Sequence, residues 1–430
     1  MRNLILFMML GVFIACDDSI GGLVNMQINE PVIMSKQEFR NSVKVTTRGQ
    51  KIEQCGKLCF YNGYLFISEP GKGIHVIDNR KPSAPQNIAF IELAGNADIG
   101  VRNDLLYADA LIDLVWFDIS NPAKPELKGR LEDVFPENYP ICGNEYPVDY
   151  SQVYDENGNS KGMVVGWELK RRRMTAAQAE QYNYYANGRF VEPDMAYYTA
   201  AGSTNKSSSG VNGSMSRFAL YDKYLYAVVN GGLSIFDVSS DKPSLAGQSA
   251  DGLFYEVETV FAYKEFLFFG MPSGMSIYSV KDPLTPEYCS WILHIYGCDP
   301  VVVDNDLAYV TVRSGNFCGQ SIDELMVIGV KDVYKPELIV SYKMSNPKGL
   351  GIDNGTLFLC DDGLKVFKIG DDPQTLVSNQ ITHIKGMDGY DLIPYDNVLM
   401  MIADDGLYQY DYTNISNIKP LSQIKIYGSE

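Results

Sequence analysis

Basic residues are in short supply in this 430-residue chain: 36 Lys and Arg stand against 53 Asp and Glu, a formal charge of −17. Such a chain repels polyanions, so nucleic acid is excluded as a partner. Histidine is scarcer still, with three copies. Neither they nor the eight cysteines show the spacing of a zinc site. No apolar run approaches the ~20 residues that cross a bilayer as a helix. Also missing are a nucleophile elbow, a carboxylate pair of defined role and a phosphate-cradling glycine loop. Gly71-Lys72-Gly73 and Gly231-Gly232 sit between strand patterns and open no helix. What is plentiful is aromatic: 29 Tyr and 19 Phe, within 46 % hydrophobic residues, favour strands over helices and a folded chain over a disordered one.

The first residues read as a leader. Met1-Arg2-Asn3 gives a basic start, residues 4–15 are mostly apolar, and Phe13-Ile14-Ala15-Cys16-Asp17-Asp18 follows. The run has the length of a signal peptide's central region. Ala15 before Cys16 resembles the bacterial lipobox, which implies cleavage after residue 15 and acylation of Cys16. Two or more acyl chains, at ~0.8 kcal/mol per buried CH₂, hold a soluble domain on a membrane without any spanning helix. Asp17-Asp18 is similar to the acidic tract that routes some Gram-negative lipoproteins to the cell surface. The expected address is therefore the cell envelope, lipid-anchored to the outer membrane.

Self-similarity governs the rest. A pattern of apolar, any, two mostly apolar residues and often Asp recurs at Ile74–Asp78, Leu114–Asp118, Leu233–Asp237, Met275–Ser279, Leu325–Gly329, Leu364–Lys368 and Leu407–Asp411. The closing positions 78, 118, 237, 279, 329, 368 and 411 are spaced 40, 119, 42, 50, 39 and 43 apart. Each copy is preceded by another strand pattern, such as Tyr64-Leu65-Phe66-Ile67, and followed by a corner bearing proline, from Pro82 and Pro85 to Pro420. Proline cannot donate to a ladder, so it suits the corner leading to an outer strand. Four short strands per ~40–45 residues is the signature of a β-propeller blade. The chain is predicted to be all-β, a seven-bladed propeller of four-stranded antiparallel blades. The boundaries are a signal peptide over 1–15, a tether and lead-in strand over 16–50 and the propeller over 51–430.

At these residues the chain resembles the LVIVD-repeat family of bacterial β-propeller proteins and lipoproteins, whose third-strand motif stands here as His75-Val76-Ile77-Asp78 and Ser234-Ile235-Phe236-Asp237. Ser279, Gly329 and Lys368 depart from the closing Asp. The resemblance implies fold and export; it assigns no reaction. The one long step leaves an insert of about 136–212 between the second and third blades. Its Val164–Leu169 stretch is expected to add to the edge of blade 2, with the remainder mobile; Lys170-Arg171-Arg172-Arg173 is expected to be a solvated loop, the alternative being a docking site for an acidic partner or a lipid headgroup.

Lipidation of Cys16 would leave seven cysteines, an odd number in an oxidising compartment. Cys298 and Cys318, about 20 residues apart, are the expected disulfide, worth roughly 3 kcal/mol of loop entropy. Counting back from the second strand of each blade gives Lys57, Asp98, Arg217, Glu258 with Thr259, Asp299, Lys348 with Gly349, and Asp391. Closed into a propeller, these positions converge on the central channel. They then form either a self-neutralising network that closes the circle or a polar funnel for a small ligand, with Gly349 leaving one side open.

Two functional expectations follow. One is a non-catalytic binding or scaffolding module at the envelope, taking a protein or glycan and needing no cofactor. The alternative is a metal-dependent hydrolase or lyase in which Asp98, Asp299 and Asp391 hold an ion, calcium being the one such carboxylates favour.

Overall fold

The computed structural model describes residues 23–140, 142, 146–180, 182, 209–249, 254, 257–293, 300–313 and 322–427. Seven antiparallel sheets follow one another in sequence, each with four consecutive strands, and that of blade 1 gains one further strand at each edge. Their first strands are Leu58–Tyr61, Ile99–Arg102, Phe218–Tyr221, Thr259–Tyr263, Val301–Asp304, Leu350–Asp353 and Gly389–Tyr395. Each first strand touches the first strand of both neighbouring blades, and the last touches the first, so the seven form a closed ring about an axis.

Local chemistry explains the blade. The hairpin joining first and second strands uses two consecutive left-handed residues at Asn62-Gly63, Asn103-Asp104, Asn305-Asp306, Asn354-Gly355 and Asp396-Asn397. Those are the residues that tolerate positive φ in a tight twisted hairpin. Each third strand carries the repeated motif, and in every blade its pairing with the fourth strand is interrupted by a register shift. The extra residue increases the twist of the outer half of the blade. The motif's closing Asp caps the turn into the proline corner. Asp78, Asp118, Asp237 and Asp411 each accept a hydrogen bond there from the backbone N–H two residues on. In blade 4 Ser279 keeps this bond, its Oγ accepting from Lys281 N at 3.3 Å, and Asp282 within the corner accepts from Leu284 N. In blades 5 and 6, where Gly329 and Lys368 stand at the closing position, Asp332 and Asp372 within the corner supply the cap.

Corners are hooked to the preceding blade. Tyr226 Oη donates to Pro283 O at 2.9 Å, Ser290 Oγ to Val333 O at 2.5 Å, Tyr342 Oη to Pro373 O at 2.7 Å, and Ser422 Oγ to Pro82 O at 2.6 Å. The last of these joins blade 7 to blade 1. At that seam Asn79 and Gln409, both buried, exchange amide hydrogen bonds of 2.9 and 2.7 Å. Ile52, Leu65, Ile77, Met400 and Ile402 share one apolar cluster beside them. Blade 7 is complete within residues 389–425, so no strand from elsewhere in the chain finishes it; beside the side-chain contacts, Tyr427 N donates to Ile52 O at 2.9 Å across the seam. The lead-in strand Lys44–Thr46 lies elsewhere, pairing with the outermost strand of blade 1. Ahead of it the helix Lys36–Asn41, capped by Ser35, points Arg40 at the buried carboxylate of Asp113 in blade 2 at 2.8 and 3.0 Å.

The expectation for the insert is corrected in two respects. Met163–Thr175, which contains Val164 to Leu169, pairs with Leu23–Met34 in a sheet of its own and not with blade 2. Lys170 to Arg173 therefore lie on a strand rather than in a loop. Among the described residues, 23–32, 142, 146–161, 167–180 and 182 form a compact unit distinct from the propeller. The second correction concerns the end of the insert, which returns into the ring.

Candidate functional site at the propeller axis

Residues 209–217 run along the axis. Val211 and Asn212 pair antiparallel with Phe60 and Cys59 on the axial edge of blade 1, as an extra strand inside the ring. Gly210 N donates to Val101 O at 2.7 Å, and the Asn212 amide to Ile99 O at 3.2 Å, both in blade 2. Gly213 N donates to Leu58 O at 3.0 Å. Ser214 N and Oγ both donate to Asp391 Oδ1 of blade 7 at 2.9 Å, and Ser214 Oγ accepts from Leu350 N of blade 6 at 2.8 Å. Met215 O accepts from Lys57 Nζ at 3.0 Å. Ser216 Oγ donates to Asp98 Oδ1 at 2.7 Å, Arg217 N donates to Asp98 Oδ2 at 2.5 Å, and Ser216 O accepts from Val260 N of blade 4 at 2.9 Å. Phe218 then begins blade 3. Six blades meet on one short peptide.

Small residues are required here because backbone meets carboxylate at close range. A Cβ at Gly213 would lie 1.9 Å from Asp391 Oδ2, and one at Gly349 would lie 2.5 Å from Asp391 Oδ1. Gly349 thus leaves no open side; its missing side chain is the room that Asp391 occupies. The serine hydroxyls supply the hydrogen bonds that a buried carboxylate needs. Ser214, Ser216, Asp98 and Asp391 are all essentially inaccessible to solvent.

The residues picked out by counting are therefore brought together in large part. Lys57, Asp98 and Asp391 converge on the axial segment, and Arg217 ends it. Lys348 is buried on the same ring but turns to Asp388, 2.7 Å away, with its amine 6.0 Å from the Tyr390 ring centre. Glu258 is half-buried, its N–H donating to Gly270 O. Asp299, His294, Cys298 and Cys318 lie outside the described residues, as does Cys16. Lys57, Asp98 and Asp391 are bridged by the hydroxyls and backbone of residues 214–217.

Burial sets the electrostatics. It pushes the Lys57 amine down to about 7; Asp98, Asp391 and Asp109 pull the other way, and Arg217 adds to the push. Asp109 accepts from Ala97 N, Asp98 N and the Asn96 amide, yet burial still pushes it up to about 6. Among the described residues no cluster of three His, Cys, Asp or Glu could hold a metal ion. The other histidines are structural: His75 is buried with Nε2 2.7 Å from Glu69 Oε2, and His383 Nε2 lies 2.7 Å from Asp362 O on the outermost strand of blade 6.

What sequence reasoning missed are Gly213, Ser214 and Ser216. The signal was present in Gly210-Val211-Asn212-Gly213-Ser214-Met215-Ser216, a run without bulk directly ahead of a blade's first strand.

Residues 95–133 and 212–248 match the model of the LVIVD repeat. The chain carries LVIVD repeats. The two matched stretches are blades 2 and 3, so the repeats flank the insert, and the second match begins with Asn212 in the axial segment. No curated protein sequence matches the chain. Among solved structures, a periplasmic gluconolactonase from Pseudomonas aeruginosa is similar over 87 % of this chain and 97 % of its own, with a TM-score of 0.50 at 9 % identity. A functionally unknown protein from Desulfotomaculum acetoxidans is similar over 86 % and 100 %, with a TM-score of 0.49 at 10 % identity. At such identities the first likeness shows a common fold and nothing of its chemistry.

Proposed function

We propose that this LVIVD propeller is an exported, lipid-anchored, non-catalytic binding or scaffolding module of the cell envelope. One observation carries the non-catalytic part: the axis, where a propeller of this kind would take a small ligand, is crossed by the protein's own residues 209–217, bonded to blades 1, 2, 4, 6 and 7. Asp98 and Asp391 accept two to three hydrogen bonds each from their own chain. Both are also closed off from solvent, so neither is presented to a substrate or a water. The partner, an envelope protein or glycan, is then met on the outer surfaces of the molecule.

The test uses the native lipoprotein. Chemical cross-linking in intact cells, followed by capture and reciprocal capture from the partner side, should return a stoichiometric envelope component. Calcium-dependent turnover of ester, lactone or glycan substrates, lost in folded Asp98→Asn and Asp391→Asn variants, would overturn the reading in favour of a channel hydrolase or lyase. The mass of the mature amino terminus decides the anchor: diacylglycerol and an acyl chain on Cys16 are expected.

A further inference from the structure

The insert's strand Met163–Thr175 carries Lys170-Arg171-Arg172-Arg173, the single run of four basic residues in a chain of charge −17. All four are exposed. On a strand they alternate between two faces. Lys170 and Arg172 share one of them, where Lys170 meets Glu168 at 2.9 Å and Arg172 pairs with the buried Glu30. Arg171 and Arg173 take the opposite face. Arg171 borders a groove lined by Val24, Asn25, Met26 and Gln27, positions from both faces of the paired strand, and by Tyr146. The groove places the basic half of this strand beside the beginning of Leu23–Met34, since the other end of the strand, at Gly162, lies against Ile33 and Met34.

That position matters because of where the chain is tethered. Residue 23 follows Cys16 by seven residues, a reach of about 25 Å at ~3.3–3.6 Å per residue. With Cys16 acylated, this end of the strand is held within that distance of lipid headgroups, while the chain's acidic excess is repelled by them. We infer that Arg171 and Arg173 form a docking face for the anionic lipid surface in which the anchor sits. This rests on the lipid-anchored reading above. The face supplies the second signal that a lipidated protein uses alongside its acyl chains: a few guanidinium groups pairing with lipid phosphates. It would also fix which face of this strand meets the membrane.

The experiment uses the full mature chain with Cys16→Ser, so that no acyl chain contributes. Sedimentation with vesicles of equal parts phosphatidylcholine and phosphatidylglycerol is compared with pure phosphatidylcholine, at low and high salt. Binding to the mixed vesicles alone, released by salt, is expected. Arg171→Gln with Arg173→Gln should weaken it about 25-fold, at about fivefold per basic contact, with an unchanged denaturation midpoint as the control for folding. Lys170→Ala, whose partner is Glu168, should matter less. Equal binding to neutral vesicles, or unchanged binding by the double variant, would overturn the proposal. So would capture of an immobilised polyglutamate peptide by a chain that ignores vesicles, which would point to an acidic protein instead. An unacylated native amino terminus would defeat the anchor reading while leaving the vesicle result to stand alone.

Discussion

Two stretches of one insert meet opposite fates. Met163–Thr175 lies at the surface with its charges in water, whereas residues 209–217 are drawn into the axis of the ring, with Ser214 fully and Ser216 almost fully buried. The difference follows from side-chain size and charge. A guanidinium stays solvated at little cost but could not enter the axis unpaired. Glycine lets the backbone approach a carboxylate, and serine satisfies that carboxylate with a donor while accepting a bond from the next blade. Composition that is commonly read as a mobile linker is, in a confined polar space, the composition of a core.

The comparison breaks most sharply at Gly213. Its Ala variant puts a methyl 1.9 Å from Asp391 Oδ2, and such overpacking against a fixed group should cost about 3 kcal/mol. Asp391→Ala should cost a similar amount, about 3 kcal/mol, because the Ser214 N–H is left buried without its acceptor. The pair should not be additive: with the carboxylate gone the methyl has room, so Gly213→Ala should cost well under 1 kcal/mol in the Asp391→Ala background. Denaturant midpoints of the four proteins close the cycle. Additive losses would mean that the axial segment does not press on Asp391 as described.

A subtler probe is pH. The Lys57 amine, pushed down to about 7 in the fold, keeps its proton to about 10.4 in an unfolded chain. Between these values the unfolded state binds more protons, so this group's contribution to stability rises with pH and is lost as pH falls through 7. Asp109 runs the other way: with its carboxyl pushed up to about 6, its contribution is present below its ordinary range near 3.9 and is lost as pH rises through 6. Lys57→Met should flatten the alkaline rise and Asp109→Asn the acidic fall, each read as stability against pH relative to the parent. Curves parallel to the parent's would show that the axis is wetter than its burial indicates.

These contrasts also mark what was legible beforehand. The blades were, because a third strand covered on both faces must repeat its apolar positions and must end where the corner needs a cap, which is why Asp78, Asp118, Asp237 and Asp411 recur. The convergence of Lys57, Asp98 and Asp391 was legible too, since a closed ring fixes which positions face the axis. Their partners were not. Ser214 and Ser216 sit in no periodic pattern, and only the closed ring reveals that Asp98 and Asp391, 293 residues apart, border the same space. The pairing of Met163–Thr175 was hidden for a related reason: its partner, Leu23–Met34, lies more than a hundred residues upstream.

On the exposed side of the comparison the smallest effects are expected, and they separate two kinds of ion pair on a single strand. Lys170 and Glu168 are both largely in water, so Lys170→Ala should change stability by no more than about 0.5 kcal/mol. Arg172 pairs with Glu30, whose side chain is only 6 % exposed. Removing Arg172 leaves that carboxylate with Lys170 at 3.8 Å as its nearest remaining cation, a contact too long for a good hydrogen bond. Arg172→Ala should therefore cost more than Lys170→Ala, by about 1 kcal/mol, and the double variant should exceed the sum of the two because both cations that the described residues place beside Glu30 are then gone. The readout is local: hydrogen exchange along residues 163–175 and 23–34, the two strands that carry the pair. Equal protection in both single variants would place Glu30 in water and remove the distinction.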